Sequence, residues 1–259
     1  MSNLDKIYFN HIPKTAGSFF NFNIRKILKD FDINYQEYFI GDVDNINEEK
    51  LINADLILGH LGTQPHSYHN NLITVTMLRN PVDRLVSNYC MIYGEENINY
   101  LNKFNDWLFN DDIGYLTKNN LQSRFLTSNR IMDVTKKYPN VIEKKSYEFE
   151  EASKEVHENG FAIEENIIDY NNAKKYLENC ELVMISENVS TDINKFLKLI
   201  NNKWNINIQG KTEPWGESLK SKKLRTLLNK KQIDKIISLN EIDIELYEYS
   251  KILSSRFSI

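Results

Sequence analysis

The stretch YFNHIPKTAGSFFNF, residues 8–22, joins a short apolar run to a turn of small and hydroxyl-bearing residues and then to a helical pattern. The run from Lys6 to Ile12 is β-prone, which predicts a strand. The apolar residues that follow Gly17 share the spacing of one helical face: Phe20, Ile24, Ile27, Leu28 and Phe31. We therefore expect a strand, a loop that contains a lysine, and a helix.

Further along the chain, short apolar runs alternate with helical patterns. The runs Asp55–Leu58, Leu72–Leu78 and Glu181–Ser186 are typical of strands that are buried on both faces of a sheet. Helical patterns at Glu164–Leu177 and Asp192–Ile200 flank the last of these runs. Because strands that alternate with helices favour parallel pairing, the sequence predicts an α/β fold with a parallel β-sheet flanked by helices.

Two more helices are indicated by their own local signals. Asn80 suits an N-cap, Pro81 suits the first helical position, and Asp83 adds an acid to the first turn. The buried stripe of that helix is predicted to consist of Val82, Leu85, Val86, Tyr89 and Tyr93. The segment 219–253 is also predicted to be helical, with Ile242, Leu246, Tyr249 and Leu253 on one face.

Length and composition bound the domain organisation. A chain of 259 residues that is 41% hydrophobic and 12% aromatic can bury one large core, so we expect residues 1–259 to form a single domain. The segment 143–165 is crowded with charge and lacks a strong apolar period. We interpret that segment either as a lid over the substrate or as a solvated helical excursion.

Charge and cysteine content exclude several classes of protein. The formal net charge of -4 argues against a nucleic-acid-binding protein with a broad basic surface, so any anion site must be local. Cys90 and Cys180 are the only cysteines and form no CxxC pair, which favours a reducing compartment. Neither a signal peptide nor a transmembrane-length apolar run is found. The sequence therefore predicts a soluble, cytoplasmic protein without a transmembrane segment.

The loop after the first predicted strand has the residues of an anion site. In open α/β sheets, ligands bind beyond the carboxyl ends of the strands, where helix N-termini offer main-chain N–H groups. The amides of Thr15, Ala16, Gly17 and Ser18 could surround a phosphate, the hydroxyls of Thr15 and Ser18 could donate to it, and Lys14 could neutralise it. The lysine precedes the small residues, unlike the lysine of GxxxxGK[ST], which disfavours ATP-type phosphate binding.

A second anion site is predicted at the exit of a later strand. Arg79 follows the run Leu72–Leu78, and Ser87 lies about two helical turns further along the next helix. A guanidinium and a hydroxyl at that spacing suit a phosphate distant from the first one. Two separate phosphate sites suit a nucleotide that is phosphorylated at both ends of its ribose.

Three motifs together resemble a known family. HIPKTAGS at 11–18, GH at 59–60 and TMLRNPVDRLVSNY at 76–89 are similar to the carbohydrate sulfotransferases that use 3'-phosphoadenosine 5'-phosphosulfate (PAPS), such as the heparan sulfate 2-O-sulfotransferases. Weaker similarity continues through NLQSRFL at 120–126, MISENVS at 184–190 and LNEIDIELYEYSKIL at 239–253. The resemblance therefore covers most of the chain.

The resemblance implies a P-loop-like sulfotransferase architecture and a role for each matching residue. Lys14 would contact the phosphosulfate, including the oxygen that bridges phosphorus and sulfur, and His60 would be the general base. The 5'-phosphate would be held by Thr15, Ala16, Gly17 and Ser18, and the 3'-phosphate by Arg79 and Ser87. Two positions depart from the family pattern: Ala16 stands where glycine is usual, and Phe19 stands where a small hydroxyl residue is common.

The resemblance also implies the reaction. A sulfuryl group would move from PAPS to an acceptor hydroxyl, expected on a carbohydrate, and would leave 3',5'-ADP. The scheme needs no metal, and His60, His66 and His69 lack the nearby acidic partner of a good zinc signature. Two alternatives stay open: a nucleotide-dependent kinase, and a 3',5'-ADP-binding protein without catalysis. Arg84, Gln122 and Arg124 are interpreted as either pocket or ordinary helix-surface residues.

Overall fold

The computed structural model describes residues 4–38, 47–93, 100–110, 115–127, 169–210 and 219–257. Within these ranges, five strands form one sheet: β1 (Ile7–Asn10), β2 (Tyr35–Tyr38), β3 (Leu56–Gly59), β4 (Ile73–Leu78) and β5 (Leu182–Ile185). The strand order is β2-β3-β1-β4-β5, and every adjacent pair is parallel. The predicted parallel sheet flanked by helices is confirmed.

The α-helices of the described residues follow in chain order. They are α1 (Gly17–Leu28), α2 (Glu48–Asn53), α3 (Pro81–Tyr93), α4 (Tyr100–Phe109), α5 (Tyr115–Lys118), α6 (Leu121–Thr127), α7 (Tyr170–Asn179), α8 (Val189–Trp204), α9 (Leu219–Leu227), α10 (Lys230–Leu239) and α11 (Glu241–Arg256). None of them combines the length and apolar character needed to cross a membrane.

The register brings three strand exits to the same edge of the sheet. β1 lies in the middle, and its last residue, Asn10, pairs with Gly59 of β3 on one side and with Thr76 of β4 on the other. His60 follows β3 directly, and Arg79 follows β4 directly. The loop after β1, the residue after β3 and the residue after β4 are therefore neighbours.

The sheet is buried on both faces. On one face, β1, β3 and β5 pack against α6, α7 and α11 through a cluster that includes Tyr8, Phe125, Leu177 and Leu246. On the other face, the sheet packs against α1 and α8 through Phe9, Phe20, Ile24, Phe196 and other apolar residues. A third cluster joins α3 to α4, α9 and α10. α3 begins at Pro81, shortly after the end of β4.

The predicted start and stripe of α3 are confirmed. Asn80 Oδ1 accepts a hydrogen bond from Val82 N at 3.0 Å, and Pro81 is the first helical residue. Of the predicted stripe, Val82, Leu85, Val86 and Tyr89 are buried, and Tyr93 is partly buried against the same cluster.

The first helix is shorter than expected, whereas the C-terminal segment is helical but interrupted. Phe31 was predicted on the buried face of the first helix, but α1 ends at Leu28, and Phe31 is 37% exposed. The segment 219–253 is helical, as predicted, and it consists of three helices. Asn229 begins α10 with a capping box shared with Gln232, and Asn240 separates α10 from α11. Asparagine side chains compete for main-chain hydrogen bonds, which favours helix boundaries at both positions.

Two early elements were not predicted: β2 and α2. β2 (YQEY) is a polar edge strand without an apolar run, and α2 has six residues. The predicted lid or excursion at 143–165 lies outside the described residues, and the single domain over 1–259 stays a prediction.

Candidate functional site

The loop between β1 and α1 contains two left-handed residues that are not glycine. Lys14 has φ 68°, and Ala16, the N-cap of α1, has φ 67° and ψ 14°. Such a conformation costs an L-residue about 1–2 kcal/mol. Left-handed residues beside a helix N-terminus are typical of main-chain nests that bind anions, and α1 has no side-chain cap at its N-cap. Ala16 adopts the conformation for which glycine would be the easier residue.

The two hydroxyl residues of the loop have different roles. Thr15 is fully buried, and its Oγ1 donates a hydrogen bond to Ile12 O at 2.8 Å. This hydrogen bond within the loop uses the only hydroxyl proton of Thr15. In this geometry the hydroxyl therefore does not donate to an anion, unlike the arrangement that the sequence suggested. Ser18 is exposed in the first turn of α1. Ser18 therefore offers a hydroxyl on the surface of the loop, whereas Thr15 can offer only its main-chain amide.

Gly17 is required by the side chain of His11. A Cβ at Gly17 would lie 2.0 Å from Cδ2 of the His11 ring, far inside van der Waals contact. The His11 ring is buried and stacks on Phe9 with ring centroids 5.8 Å apart. His11 was not predicted as a site residue, although it stands within the HIPKTAGS motif. Its ring joins the loop to the apolar core beneath.

His60 lies directly beside His11, with ring centroids 4.0 Å apart. His60 Nδ1 is 2.5 Å from His11 O, and because a carbonyl only accepts, Nδ1 carries the proton. Nε2 of neutral His60 is therefore the basic nitrogen. Burial lowers the pKa of His60 to about 4, with a smaller contribution in the same direction from the charge of Lys14. His60 is uncharged at neutral pH and is a weaker base than an ordinary histidine.

Lys14 and Arg79 meet at this edge of the sheet. Arg79 Nη1 donates to Lys14 O at 3.2 Å, which connects the exits of β1 and β4. Lys14 Nζ lies 3.3 Å from the thioether sulfur of Met91, a weak acceptor. Burial, followed by the charge of Arg79, lowers the pKa of Lys14 to about 8.

Arg84 adds a third cation, and it is fully buried. Its Nη2 donates to Thr117 O at 2.6 Å, but among the described residues nothing accepts a hydrogen bond from Nε or Nη1. Burial lowers the pKa of Arg84 to about 10, against the opposing effect of Asp243. One turn later on α3, both amide atoms of Asn88 also lack a described partner. Asn88 was not predicted, although its spacing of four from Arg84 places the two on one helix face.

Ser87 lies on the side of α3 that carries Arg84 and Met91. It is partly buried, three residues after Arg84 and four before Met91, the residue that Lys14 contacts. Because residues three and four apart share a helix face, Ser87 faces the same edge as Lys14. The structure thus brings together Lys14, the loop 15–18, His60, Arg79 and Ser87.

The electrostatics of this edge suit an anionic ligand. Neither Lys14 nor Arg84 forms an ion pair with a carboxylate within the described ranges. Burial, and to a smaller degree the positive charge of Arg79, disfavours the charged forms of Lys14 and Arg84, and a bound anion would oppose both effects. For the part of the chain that the structure describes, no group of three or more His, Cys, Asp or Glu is arranged to hold a metal ion.

Comparison with known proteins assigns the chain to a family. The model of the Sulfotransferase family matches residues 1–250. No significant match is found among curated proteins. The five-stranded parallel sheet is consistent with the sulfotransferase architecture that the resemblance implied. Since the match covers nearly the entire length, the chain belongs to the sulfotransferase family.

Proposed function

We propose that this sulfotransferase uses PAPS as its sulfuryl donor and a carbohydrate hydroxyl as its acceptor. The observation that carries the proposal is the convergence of Lys14, Arg79 and Arg84 at the exits of β1 and β4, without an ion pair for Lys14 or Arg84 among the described carboxylates. A ligand with phosphates at two separate points would neutralise such a group. The three motifs that resemble carbohydrate sulfotransferases support both donor and acceptor.

The donor, when bound, supplies a sulfuryl group that is activated by its bond to a phosphate oxygen. In our proposal, Lys14 and the amides of Thr15, Ala16, Gly17 and Ser18 hold the 5'-phosphosulfate, and Arg79 and Ser87 hold the 3'-phosphate. The left-handed Lys14 and Ala16 and the uncapped start of α1 support the first assignment. The position of Ser87 on the α3 face beside Lys14 supports the second.

His60 and Lys14 have different roles in the proposed transfer of the sulfuryl group. His60 Nε2 accepts the proton of the acceptor hydroxyl, because the hydrogen bond to His11 O keeps the other proton on Nδ1. The acceptor oxygen forms a bond to sulfur as the bond from sulfur to the bridging oxygen breaks. Lys14 stabilises the negative charge that this leaving oxygen gains. The products are a sulfate ester, 3',5'-ADP and a protonated His60.

The environment of His60 is compatible with a role as a base, but burial lowers the basicity that is expected of its imidazole. An ordinary histidine pKa near ~6.5 would suit neutral pH, whereas burial lowers the pKa of His60 to about 4. A bound dianionic phosphosulfate would raise that pKa, since an opposite charge favours the protonated imidazole. The base would thus become stronger when the donor is present.

Replacement of His60 tests this role. We expect His60→Ala to lower kcat by about 10²- to 10⁴-fold, the usual contribution of a general base. Affinity for 3',5'-ADP should stay close to that of the wild type, because His60 is assigned no contact with the nucleotide. His69→Ala, which removes a histidine bonded to Leu51 O away from the strand exits, is the matched control. A kcat for His60→Ala equal to that of this control would remove His60 from the mechanism.

The donor and acceptor are tested by transfer of radiolabelled sulfate. The protein is incubated with labelled PAPS and a panel of hydroxyl-bearing acceptors that includes polysaccharides, oligosaccharides, phenols and alcohols. We expect labelled carbohydrate, and Arg79→Ala should reduce the rate at low PAPS concentration. Label on phenols or alcohols alone would contradict the carbohydrate acceptor. Tight 3',5'-ADP binding with no transfer to any member would favour the non-catalytic alternative.

The family match does not favour the kinase alternative. Calorimetry compares the nucleotide product of PAPS with the donor that a kinase would use. We expect 3',5'-ADP to bind more tightly than ATP with Mg²⁺, because the loop lacks GxxxxGK[ST]. Tighter binding of ATP with Mg²⁺ would overturn the donor assignment.

A further inference from the structure

Gln122 of α6 holds the main chain of Arg79 from both sides. Its Oε1 accepts a hydrogen bond from Arg79 N at 2.9 Å, and its Nε2 donates to Arg79 O at 3.0 Å. Arg79 is the first residue beyond β4, where the main-chain groups leave the sheet. Gln122 is fully buried. Its side-chain amide satisfies the main-chain N–H and C=O of Arg79, which would otherwise bond to a neighbouring strand.

Gln122 is itself held by the C-terminal helix. Asp243 of α11 accepts hydrogen bonds from Gln122 N at 2.9 Å and from Ser123 N at 2.7 Å, so its carboxylate caps the start of α6. In return, Asp243 N donates to Asn120 Oδ1 at 3.0 Å. Asp243 is fully buried. A continuous set of hydrogen bonds thus runs from α11 through α6 to Arg79.

The other end of Arg79 reaches the first anion-site loop. Nη1 of its guanidinium donates to Lys14 O, so both the main chain and the side chain of Arg79 are restrained. A side chain contributes most to binding when its geometry is set before the ligand arrives. The two hydrogen bonds from Gln122 to Arg79 N and O form a main-chain clamp. This clamp fixes the position from which the Arg79 side chain extends.

We propose that Gln122 is a positioning residue for the 3'-phosphate of the nucleotide, acting through Arg79, with Asp243 holding Gln122 in place. The inference rests on the proposed function, because it takes Arg79 as the group that binds the 3'-phosphate. Gln122 itself makes no contact with the nucleotide in this account. Its contribution is therefore confined to ligands that carry a 3'-phosphate.

The experiment therefore compares the binding of a nucleotide that has a 3'-phosphate with that of a nucleotide that lacks it. Gln122→Met keeps the length and volume of the side chain but can form neither hydrogen bond to Arg79. Calorimetry compares 3',5'-ADP with 5'-AMP, which differs only by lacking the 3'-phosphate. We expect the affinity for 3',5'-ADP to fall about tenfold, as when a ligating group loses its outer hydrogen-bond partner, and the affinity for 5'-AMP to stay unchanged.

Three further variants make the result specific. Thr127→Ala, in the last turn of α6 with a hydroxyl bonded to Ser123 O, is the matched control and should bind both nucleotides like the wild type. Gln122→Leu, which also lacks both hydrogen-bonding groups, should show the same selective loss, and it replaces Gln122→Met if that variant does not fold. In an Arg79→Ala background, Gln122→Met should cause no additional loss.

Each contrary outcome identifies a different error. An equal loss for both nucleotides, or an additional loss in the Arg79→Ala background, would show that Gln122 acts on the pocket by another route. Unchanged affinity for both would show that the clamp does not position Arg79. If the wild type binds 5'-AMP as tightly as 3',5'-ADP, the 3'-phosphate assignment of the proposed function is wrong, and the inference falls with it.

Discussion

At the residue scale, the fold makes the charge of Lys14 depend on pH. Burial, followed by the charge of Arg79, lowers its pKa to about 8, whereas an isolated lysine titrates near 10.5. Below about pH 8 the free protein presents an ammonium to the nucleotide, and above that pH it increasingly presents a neutral amine. An anion binds better to the protonated form, so binding and protonation are linked.

We expect the affinity for 3',5'-ADP to decrease as the pH rises above about 8, by up to about tenfold per pH unit. The phosphates of the ligand are already fully ionised in this range, since their second pKa is near ~6. Lys14→Arg is the control, because a guanidinium keeps its charge throughout. Calorimetry between pH 7 and pH 10, which are roughly the limits of the linkage, measures both proteins. The same pH dependence in both would assign the titration to another group.

The residue scale also shows what sequence can and cannot supply. Lys14, Arg79 and Ser87 could be proposed as site residues because their motifs are local and lie just after predicted strands. His11 was not named from the sequence, and Gln122 was named only as either a pocket or a surface residue. Their contacts join distant parts of the chain: His11 with His60, and Gln122 with Arg79. The low pKa of His60 likewise arises from burial, which spacing in the sequence does not reveal.

At the scale of elements, Asp192 connects three pieces of secondary structure. Its Oδ2 accepts a hydrogen bond from Ile185 N, the last residue of β5, at 2.8 Å. Its Oδ1 lies 2.9 Å from Lys195 Nζ, which donates to Ser254 O of α11 at 3.1 Å. Asp192 is 1% exposed. One carboxylate therefore holds the end of β5, the start of α8 and the last turns of α11.

Asp192→Ala should lower the free energy of unfolding by about 1–3 kcal/mol, because it leaves a buried N–H group without an acceptor. Asp192→Asn keeps one amide oxygen for Ile185 N and should cost less. Urea denaturation measures both variants. If the two variants match the wild type, the connection contributes nothing to stability.

Elements with strong internal periodicity were predictable, and the others were not. α3 was found with its cap and buried stripe, since Asn80, Pro81 and the apolar spacing all lie within one segment. β2 was missed because an edge strand such as YQEY needs no apolar run. The segment 219–253 was predicted as helical without boundaries inside it, and the structure adds the breaks at Asn229 and Asn240.

At the scale of the whole molecule, the central strand connects the core to the site. Phe9 of β1 is fully buried, lies 4.2 Å from Phe20 between ring centroids, and stacks on His11. The core on the α1 and α8 face and the site therefore share a side chain.

Phe9→Ala should lower the free energy of unfolding by about 3–5 kcal/mol through the lost burial and the cavity. Phe22→Ala removes the same side chain from α1 where it is 42% exposed, and it should change stability by no more than about 0.5 kcal/mol. Thermal or urea unfolding distinguishes them. Equal effects of the two substitutions would show that Phe9 is not part of the structural core.

β1 is the central strand of the sheet. With β3 bonded on one side and β4 on the other, the amides of Tyr8 and Phe9 can exchange with solvent deuterium only when the sheet itself comes apart. The end of β1, from which the loop with Lys14 continues, therefore stays hydrogen-bonded for as long as the sheet is folded. This end of the strand is already ordered before a ligand binds, so little conformational entropy is lost at this position on binding.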